Sequence, residues 1–127
     1  MKDCIFCDII SKNRDIIHQD DIFVVFKDKY PASDFHFLMI PKIHIESIRD
    51  LRKSDIDILL KMKDLSQIIL DKYQIKDYQI GFHRSYFVSI NHLHLHILGK
   101  PFNSFWKSLL FKRLSFITID QILETFK

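Results

Sequence analysis

The stretch "NHLHLHIL", residues 91–98, alternates histidine with large apolar residues. Alternation with a period of two is typical of a β-strand with one buried face, because successive side chains point to opposite faces of the sheet. The three histidines therefore share one face of this strand, and the alternating apolar side chains pack into the core behind them. The histidines are His92, His94 and His96, and the apolar residues are Leu93, Leu95 and Ile97.

The chain has seven histidines, of which four lie within residues 83–96. A lone histidine in a strand is usually structural, and we interpret His18 and His36 in that way. Three on one face are different, because each imidazole that loses hydration needs a partner. Imidazole binds metals, transfers protons near neutral pH and attacks electrophiles, so a zinc site and a catalytic site both remain open. Catalysis is favoured because the middle histidine has a neighbour on each side and Ser89 lies three residues before His92.

Length and composition limit the class of protein. A chain of 127 residues with 47% hydrophobic residues and only two glycines predicts a single domain over residues 1–127. The net charge of +3 is spread along the chain, apart from a loose cluster at Lys107, Lys112 and Arg113, and is weak evidence for a polyanionic partner. No signal peptide or membrane-spanning segment is evident, so we expect a cytoplasmic or nuclear protein without a membrane partner. In a reducing compartment, the C-x-x-C pair Cys4 and Cys7 indicates metal or redox chemistry rather than a disulfide.

The secondary structure predicted from the sequence is that of an α+β domain with one mainly antiparallel sheet. The clearest helix spans residues 54–71, with Ser54 as N-cap and an apolar stripe at helical spacing. That stripe consists of Ile58, Leu59, Met62, Leu65 and Ile69. Other helices are predicted at 4–11 and 117–126, and strands at 16–20, 22–28, 36–41, 78–83 and 91–98. The first two strands form a tight hairpin, and the last two are antiparallel neighbours.

Five motifs resemble the histidine triad (HIT) superfamily of nucleotide hydrolases and transferases, and they cover nearly the whole chain. "HLHLHIL" has the His-φ-His-φ-His-φ-φ form of that superfamily, where φ is an apolar residue. "CIFCDII", "VVFKDKYPAS", "HFLMIPKIHI" and "GFHRSYFVSI" precede it in the family's order and approximate spacing. The chain is similar to the histidine triad nucleotide-binding (Hint) branch, and "GFH" and the tail "FITIDQIL" place it towards aprataxin. The resemblance implies a HIT-like fold with a long central helix and a short N-terminal helix.

The resemblance also implies a mechanism. His94 corresponds to the family nucleophile, which attacks the α-phosphorus of an adenylyl compound and forms a nucleotidyl-histidine that water hydrolyses to AMP. By the same resemblance, His96 hydrogen-bonds the phosphate oxygens, and His92 supports the orientation and tautomer of His94, directly or through the backbone. Ser89 donates to the phosphate or to the leaving group. The implied substrates are adenosine 5'-monophosphoramidates or acyl-adenylates, with no organic cofactor.

The resemblance places the nucleotide as well. Asp28 matches the carboxylate that accepts hydrogen bonds from the two ribose hydroxyls. His83 offers a further donor to the phosphate, although Gly81 stands where many Hint proteins have an asparagine, and Val88 replaces a glutamine. These departures leave the preferred leaving group open. The residues that match the base pocket are Ile5, Phe6, Ile9 and Phe26.

A structural zinc held by Cys4, Cys7, His44 and His92 is also implied, because related triad proteins with this C-x-x-C use the matching residues in that way. The competing interpretation keeps the cysteines as small buried hydrophobes and gives the two histidines to a proton relay behind His94.

Two other functions stay open at this point. One is aprataxin-like hydrolysis of 5'-adenylated DNA, and the other is a non-catalytic nucleotide- or zinc-binding adaptor. The expected partners are a purine nucleotide of the AMP type and a second copy of the chain in a homodimer. Nucleic acid is not expected, because a few basic residues make a weak groove.

Overall fold

The computed structural model describes residues 16–84, 92–112 and 114–127. Within them, six strands form one sheet in the order β1-β2-β3-β5-β4-β6, with antiparallel pairing throughout. The predicted α+β architecture is therefore confirmed, whereas the helix expected at 4–11 lies outside the described residues. The strands are β1 (Ile16–Gln19), β2 (Phe23–Lys27), β3 (Ser33–Pro41), β4 (Tyr78–His83), β5 (Leu95–Phe102) and β6 (Phe116–Thr118), and the α-helices are α1 (Ile56–Lys72), α2 (Phe105–Leu109) and α3 (Ile119–Thr125).

The hairpin between β1 and β2 forms as predicted. Asp20 closes its turn, because one carboxylate oxygen accepts hydrogen bonds from the backbone N–H groups of Ile22 and Phe23, both at 2.8 Å. β2 then pairs with β3, and β3 with β5. Strand β3 begins three residues earlier than the predicted 36–41 and ends at Pro41 as expected.

Helix α1 carries the predicted apolar stripe. Leu59, Met62 and Ile69 are buried in the main core, and Ile58 and Leu65 pack against it. The helix begins at Ile56 rather than at residue 54, because a 3-10 turn over Lys53–Asp55 precedes it. A helix of 17 residues with this stripe covers one face of the sheet.

The strand predicted at 91–98 is shifted towards the C-terminus. β5 begins at Leu95 and continues to Phe102. The preceding residues pair with the segment after β3 instead, since Leu93 N–H donates to the carbonyl of Ile45 and a ring nitrogen of His92 lies 2.9 Å from the Pro41 carbonyl. The predicted alternation holds nonetheless, and the apolar members of the stretch, Leu93, Leu95 and Ile97, lie in the main core.

Strand β6 was not anticipated, and the helix predicted at 117–126 is shorter than expected. Phe116–Thr118 pairs with β4, and α3 begins only at Ile119. Thr118 fixes that boundary through a capping box, in which its hydroxyl accepts from Gln121 N–H and the Gln121 side chain accepts from Thr118 N–H. Gly81 makes the pairing with β6 possible, because a Cβ there would lie 2.3 Å from the Ile117 carbonyl oxygen.

The two faces of the sheet have different roles. One face packs on α1 and α3 and forms the main core. On the other face, Phe26, Leu38 and His96 form one row across β2, β3 and β5, since each is the register partner of the next. The histidines of β3 and β5 therefore lie on the face away from the helices of the core.

Among the described segments, no helix combines the length and apolar character needed to cross a membrane.

Candidate active site

His94 is held in one tautomer by the backbone. Its Nδ1 lies 2.8 Å from the carbonyl oxygen of His92, and a carbonyl can only accept, so Nδ1 carries the proton. In the neutral ring, the lone pair is then on Nε2. Burial lowers the pKa of His94 from its ordinary 6.5 to about 4, against the opposing effect of the His92 carbonyl. His94 is therefore a neutral imidazole at pH 7, with an unprotonated Nε2.

A second chain of hydrogen bonds fixes the tautomer of His96. The backbone N–H of Ala32 donates to Nδ1 of His36 at 2.9 Å, so the proton of His36 is on Nε2. That nitrogen donates to Nδ1 of His96, also at 2.9 Å. His96 must then carry its own proton on Nε2. Among the described residues this Nε2–H has no hydrogen-bond partner, and His96 is buried, so the fold presents one unsatisfied donor.

The histidines lie in a shared apolar enclosure. The ring centroid of His96 lies 5.1 Å from that of His94 and 4.5 Å from that of His83. Phe111 closes the group, with its ring centroid 5.4 Å from His96 and 4.8 Å from His83. Desolvation is the largest cause of a lowered pKa in each of these three imidazoles. These three imidazoles are therefore neutral at pH 7 and act as hydrogen-bond donors and acceptors.

Asp28 lies at the edge of this group. One of its carboxylate oxygens accepts from Tyr30 N–H at 2.9 Å, and the other lies 3.2 Å from Nε2 of His36. Asp28 acts against the lowering of the His36 pKa, but burial outweighs it and brings that pKa to about 4. Ligand atoms of Asp28, His36 and His96 lie within 4.8 Å of one another, a spacing open to a metal ion. Because the two histidines already satisfy each other, we assign no metal to them.

Comparisons with known proteins identify the family. Residues 3–110 match the family model described as scavenger mRNA decapping enzyme C-term binding. Adenosine 5'-monophosphoramidase HINT3 from Xenopus tropicalis is 34% identical over 130 residues, which cover 95% of this chain and 85% of that protein. The chain belongs to the histidine triad family. Bifunctional adenosine 5'-phosphosulfate phosphorylase/adenylylsulfatase HINT4 from Arabidopsis thaliana is 35% identical, with 95% and 89% covered.

Solved structures of the histidine triad family share the fold. A HIT family hydrolase from Clostridium thermocellum superposes with a TM-score of 0.73 at 28% sequence identity. The superposition covers 80% of this chain and 93% of that one. The two chains therefore share the fold.

The structure brings together part of the site expected from the triad motif. His83, His94 and His96 are in ring contact, and Phe26 lies on the same face of the sheet, in the row of His96. Asp28 reaches this group through His36. The ring of His92 is not in the row and packs against His44 instead, with centroids 4.6 Å apart. Ile5, Phe6, Ile9, Ser89, Val88, Cys4 and Cys7 lie outside the described residues.

Two features of the triad site differ from what the sequence indicates. His36 was interpreted as a structural histidine, but it bonds directly to His96. The signal lies in the register: His36 pairs with Leu98, so it is the diagonal neighbour of His96 on the same face. Gly81, read as a departure near the phosphate, leaves room for the Phe116 ring, which a Cβ at 81 would meet at 2.7 Å.

His36 acts through His96, and its replacement tests that positioning role. We expect His36→Phe to lower kcat by about ten- to a hundredfold with little change in KM, because His96 loses the partner that fixes its donor. The conservative variant His36→Gln, whose amide N–H can still donate, should recover part of the loss. Steady-state kinetics of both variants measure this split. A rise in KM with kcat unchanged would instead mean that His36 contributes to binding of the substrate in its ground state.

Proposed function

We propose that this protein hydrolyses adenosine 5'-monophosphoramidates or acyl-adenylates to AMP through a covalent nucleotidyl-His94 intermediate. The observation that carries the proposal is the hydrogen bond from His94 Nδ1–H to the His92 carbonyl, which leaves the Nε2 lone pair as the reactive one. Membership of the histidine triad family supports it, as do the HINT3 and HINT4 relatives, whose names describe adenosine nucleotide chemistry.

The reaction divides into two displacements at phosphorus. In the first, Nε2 of His94 forms a bond to the α-phosphorus as the bond from phosphorus to the amine or carboxylate breaks, and the leaving group takes the electron pair. A phosphoramidate reacts with its nitrogen protonated, so that the amine leaves as a neutral molecule, whereas a carboxylate leaves as the anion. In the second, water forms the new P–O bond, the N–P bond breaks, and a proton from that water is released. His94 returns to its neutral form, and AMP is the product.

The neighbouring histidines stabilise the charge that develops on the phosphate oxygens. His96 presents Nε2–H, and its partner His36 prevents the alternative tautomer. His83 lies against His96 on the same face, at a ring distance of 4.5 Å, and packs beside that donor. Donors that are already oriented in an apolar enclosure need no reorganisation during the reaction, which makes them effective in the transition state.

A panel of leaving groups tests the proposed reaction. Adenosine 5'-monophosphoramidate, an aminoacyl-adenylate, adenosine 5'-phosphosulfate and a 5'-adenylated oligonucleotide would be compared by kcat/KM for AMP release. We expect the phosphoramidate or the acyl-adenylate to be the best substrate. Preference for the oligonucleotide would favour the aprataxin-like reaction, and AMP binding without turnover of any substrate would favour an adaptor.

Replacing Asp28 tests the ribose contact. We expect Asp28→Asn to raise KM for adenosine substrates by roughly ten- to a hundredfold, because a hydrogen bond to a charged acceptor contributes about 1.5–3 kcal/mol. For 2',3'-dideoxy analogues the rise should be much smaller, since no ribose hydroxyl remains to donate. Steady-state kinetics on both substrates measure the difference.

Both substrates must be compared because Asp28 also contacts His36. A change in kcat that is the same for the adenosine substrate and its dideoxy analogue would come from the histidines. Asp34→Asn, on the neighbouring strand β3 and exposed, is the matched control. Equal effects of Asp28→Asn on the two substrates would remove Asp28 from the ribose site.

We also propose a structural zinc ion bound by Cys4, Cys7, His44 and His92. Two described features support it: the rings of His44 and His92 lie side by side, and Nε2 of His92 donates to the Pro41 carbonyl. A neutral imidazole that donates through Nε2 presents Nδ1 unprotonated, which is the form that ligates zinc. His94 donates its Nδ1–H to the backbone carbonyl of His92, so its orientation does not depend on the His92 ring.

Elemental analysis of protein purified without added metal tests the zinc site. We expect stoichiometric zinc, its loss in Cys4→Ser, and a lower Tm after treatment with a chelator, because metal binding adds to folding stability. Ser11→Ala, near the same end of the chain, serves as the control. Substoichiometric zinc that Cys4→Ser leaves unchanged would favour the proton relay of His44 and His92.

We further propose that the chain acts as a homodimer in the cytoplasm or nucleus. The family resemblance supports the dimer, which would be built on the long helix and a sheet edge. Light scattering after size-exclusion chromatography would give the mass in solution. A monomer at all concentrations would contradict the proposed homodimer.

A further inference from the structure

A short segment beside the site exposes an unusual amount of apolar surface. Helix α2 and the turns that follow it carry five large apolar side chains, and we name residues 105–112 and 114 the docking segment. The exposed fractions are 65% for Phe105, 76% for Trp106, 39% for Leu109, 50% for Leu110 and 83% for Leu114. Single exposed apolar residues are ordinary, but five within ten residues form a contiguous patch that indicates an interaction site.

The apolar side chains of α2 share one side of the helix. Phe105, Trp106, Leu109 and Leu110 are spaced i, i+1, i+4 and i+5, which confines them to an arc of about 140° at 100° per residue. The rings of Phe105 and Trp106 pack edge to face, with centroids 5.6 Å apart. The patch is therefore a single continuous surface.

The docking segment is fixed by hydrogen bonds at both ends and by one buried side chain. The Ser104 hydroxyl caps α2 by accepting from Lys107 N–H at 3.1 Å, and the Ser115 hydroxyl lies 2.8 Å from the Leu110 carbonyl. Phe111 points inward and is buried against the histidines. The apolar patch is thus presented by a fixed scaffold rather than by a chain that must first fold.

The charged residues along this part of the chain are of one sign. No aspartate or glutamate occurs between Asp77 and Asp120, whereas this stretch contains two arginines and three lysines. Lys107 and Lys112 belong to the docking segment itself. The ammonium of Lys107 lies 3.0 Å from the Pro31 carbonyl, and that of Lys112 lies 5.9 Å from the centre of the Phe105 ring. An apolar face bordered by lysines suits a partner that is both apolar and anionic.

We propose that the docking segment binds the surface of an anionic lipid bilayer. Its aromatic and leucine side chains would enter the boundary between headgroups and acyl chains, and its lysines would contact the anionic headgroups. This goes beyond the proposed hydrolase activity. The expectation of no membrane partner came from the lack of a spanning segment, and docking on the surface needs none.

Two other occupants fit the observations less well. A twofold contact between copies through this patch would bring each lysine of the segment close to its counterpart, and like charges would repel. A nucleic acid would satisfy the lysines and stack on the aromatic rings, but it offers no apolar surface to Leu109, Leu110 and Leu114. Of the three occupants compared, the lipid surface is the one that supplies both anionic groups and hydrocarbon.

The single tryptophan of the chain, Trp106, provides the probe. The full chain would be titrated with vesicles of phosphatidylcholine alone and with vesicles containing 30% phosphatidylserine. With the anionic vesicles we expect a blue shift of Trp106 emission, quenching by lipids brominated on the acyl chain, and co-sedimentation. Binding should weaken steeply at high salt, because the lysine contribution is screened. No shift and no co-sedimentation with either vesicle would overturn the proposal.

Variants separate lipid docking from the other occupants. Lys107→Glu and Lys112→Glu should each weaken partitioning by roughly fivefold or more, and Leu110→Ser with Leu114→Ser should abolish the quenching by brominated lipid. Ile68→Ser, a comparably exposed position on α1, is the matched control and should bind like wild type. All variants should retain AMP release in the absence of vesicles, which shows that they are folded.

Two results would reassign the patch. Tighter binding to a single-stranded oligonucleotide than to anionic vesicles at the same salt would assign it to nucleic acid. Self-association without lipid that the leucine variants abolish would assign it to a second copy.

Discussion

His94→Ala should lower turnover of adenosine 5'-monophosphoramidate by at least about 10⁴-fold while AMP still binds. The substitution removes the atom that forms the covalent bond, and no other group can take over that path. The base and ribose contacts proposed for Phe26 and Asp28 lie on β2 and directly after it, and they remain. Rapid-quench kinetics followed by intact-mass measurement should show an added AMP on wild type and none on the variant.

The comparison needs a histidine that does not touch the site. His18 lies on β1, is partly exposed and pairs locally with Asp20 at 2.8 Å, so His18→Ala should keep wild-type turnover. Retained AMP binding by His94→Ala shows that this variant is folded. If His94→Ala remained active and wild type never carried the adduct, the covalent mechanism would be wrong, whatever the role of the neighbouring histidines.

The sequence predicts best where local pattern and packing agree. The alternation in residues 91–98 and the stripe of α1 each repeat with a regular period, and the apolar assignments of both are confirmed. The ring of His92 packs against His44 instead of lying in the row of His96. The ends of the strands are predicted less accurately. β5 begins at Leu95 because the residues before it bond to the Pro41 and Ile45 backbone, and that competition between partners is not visible in the alternation itself.

Two parts of the site depend on contacts between distant segments. β6 has only three residues, and its pairing needs the space beside Gly81, about 36 residues earlier in the chain. His36 looks like any buried histidine until the β3–β5 register places it diagonal to His96. Both follow from register, which a periodic pattern cannot supply when several pairings would bury the same face.

Acidification should destabilise the fold between about pH 6.5 and pH 4. The folded protein holds His36, His83 and His96 with a pKa below the ordinary 6.5, chiefly because burial disfavours the charged ring, and that of His36 falls to about 4. Below pH 6.5 the unfolded chain takes up protons that the folded chain refuses. The free energy of unfolding is therefore at its full value above pH 6.5 and declines as the pH falls. His36 alone accounts for a loss of about 3 kcal/mol by pH 4, since one pKa unit corresponds to about 1.4 kcal/mol.

Chemical denaturation at pH 7, 6, 5 and 4.5 measures this dependence, and the same series on His36→Gln isolates one proton. The variant cannot take up that proton in either state. Its free energy of unfolding should therefore fall less steeply with pH than that of wild type, and the two slopes should differ by up to about 1.4 kcal/mol per pH unit. A small domain has only about 5–15 kcal/mol of stability. The protons refused by these three imidazoles, and by His94 with its pKa of about 4, are therefore enough to unfold a marginal one near pH 4. A free energy of unfolding that stays level from pH 7 to pH 5 in wild type would mean that these imidazoles accept protons in place, which would contradict the neutral tautomers on which the proposed mechanism depends.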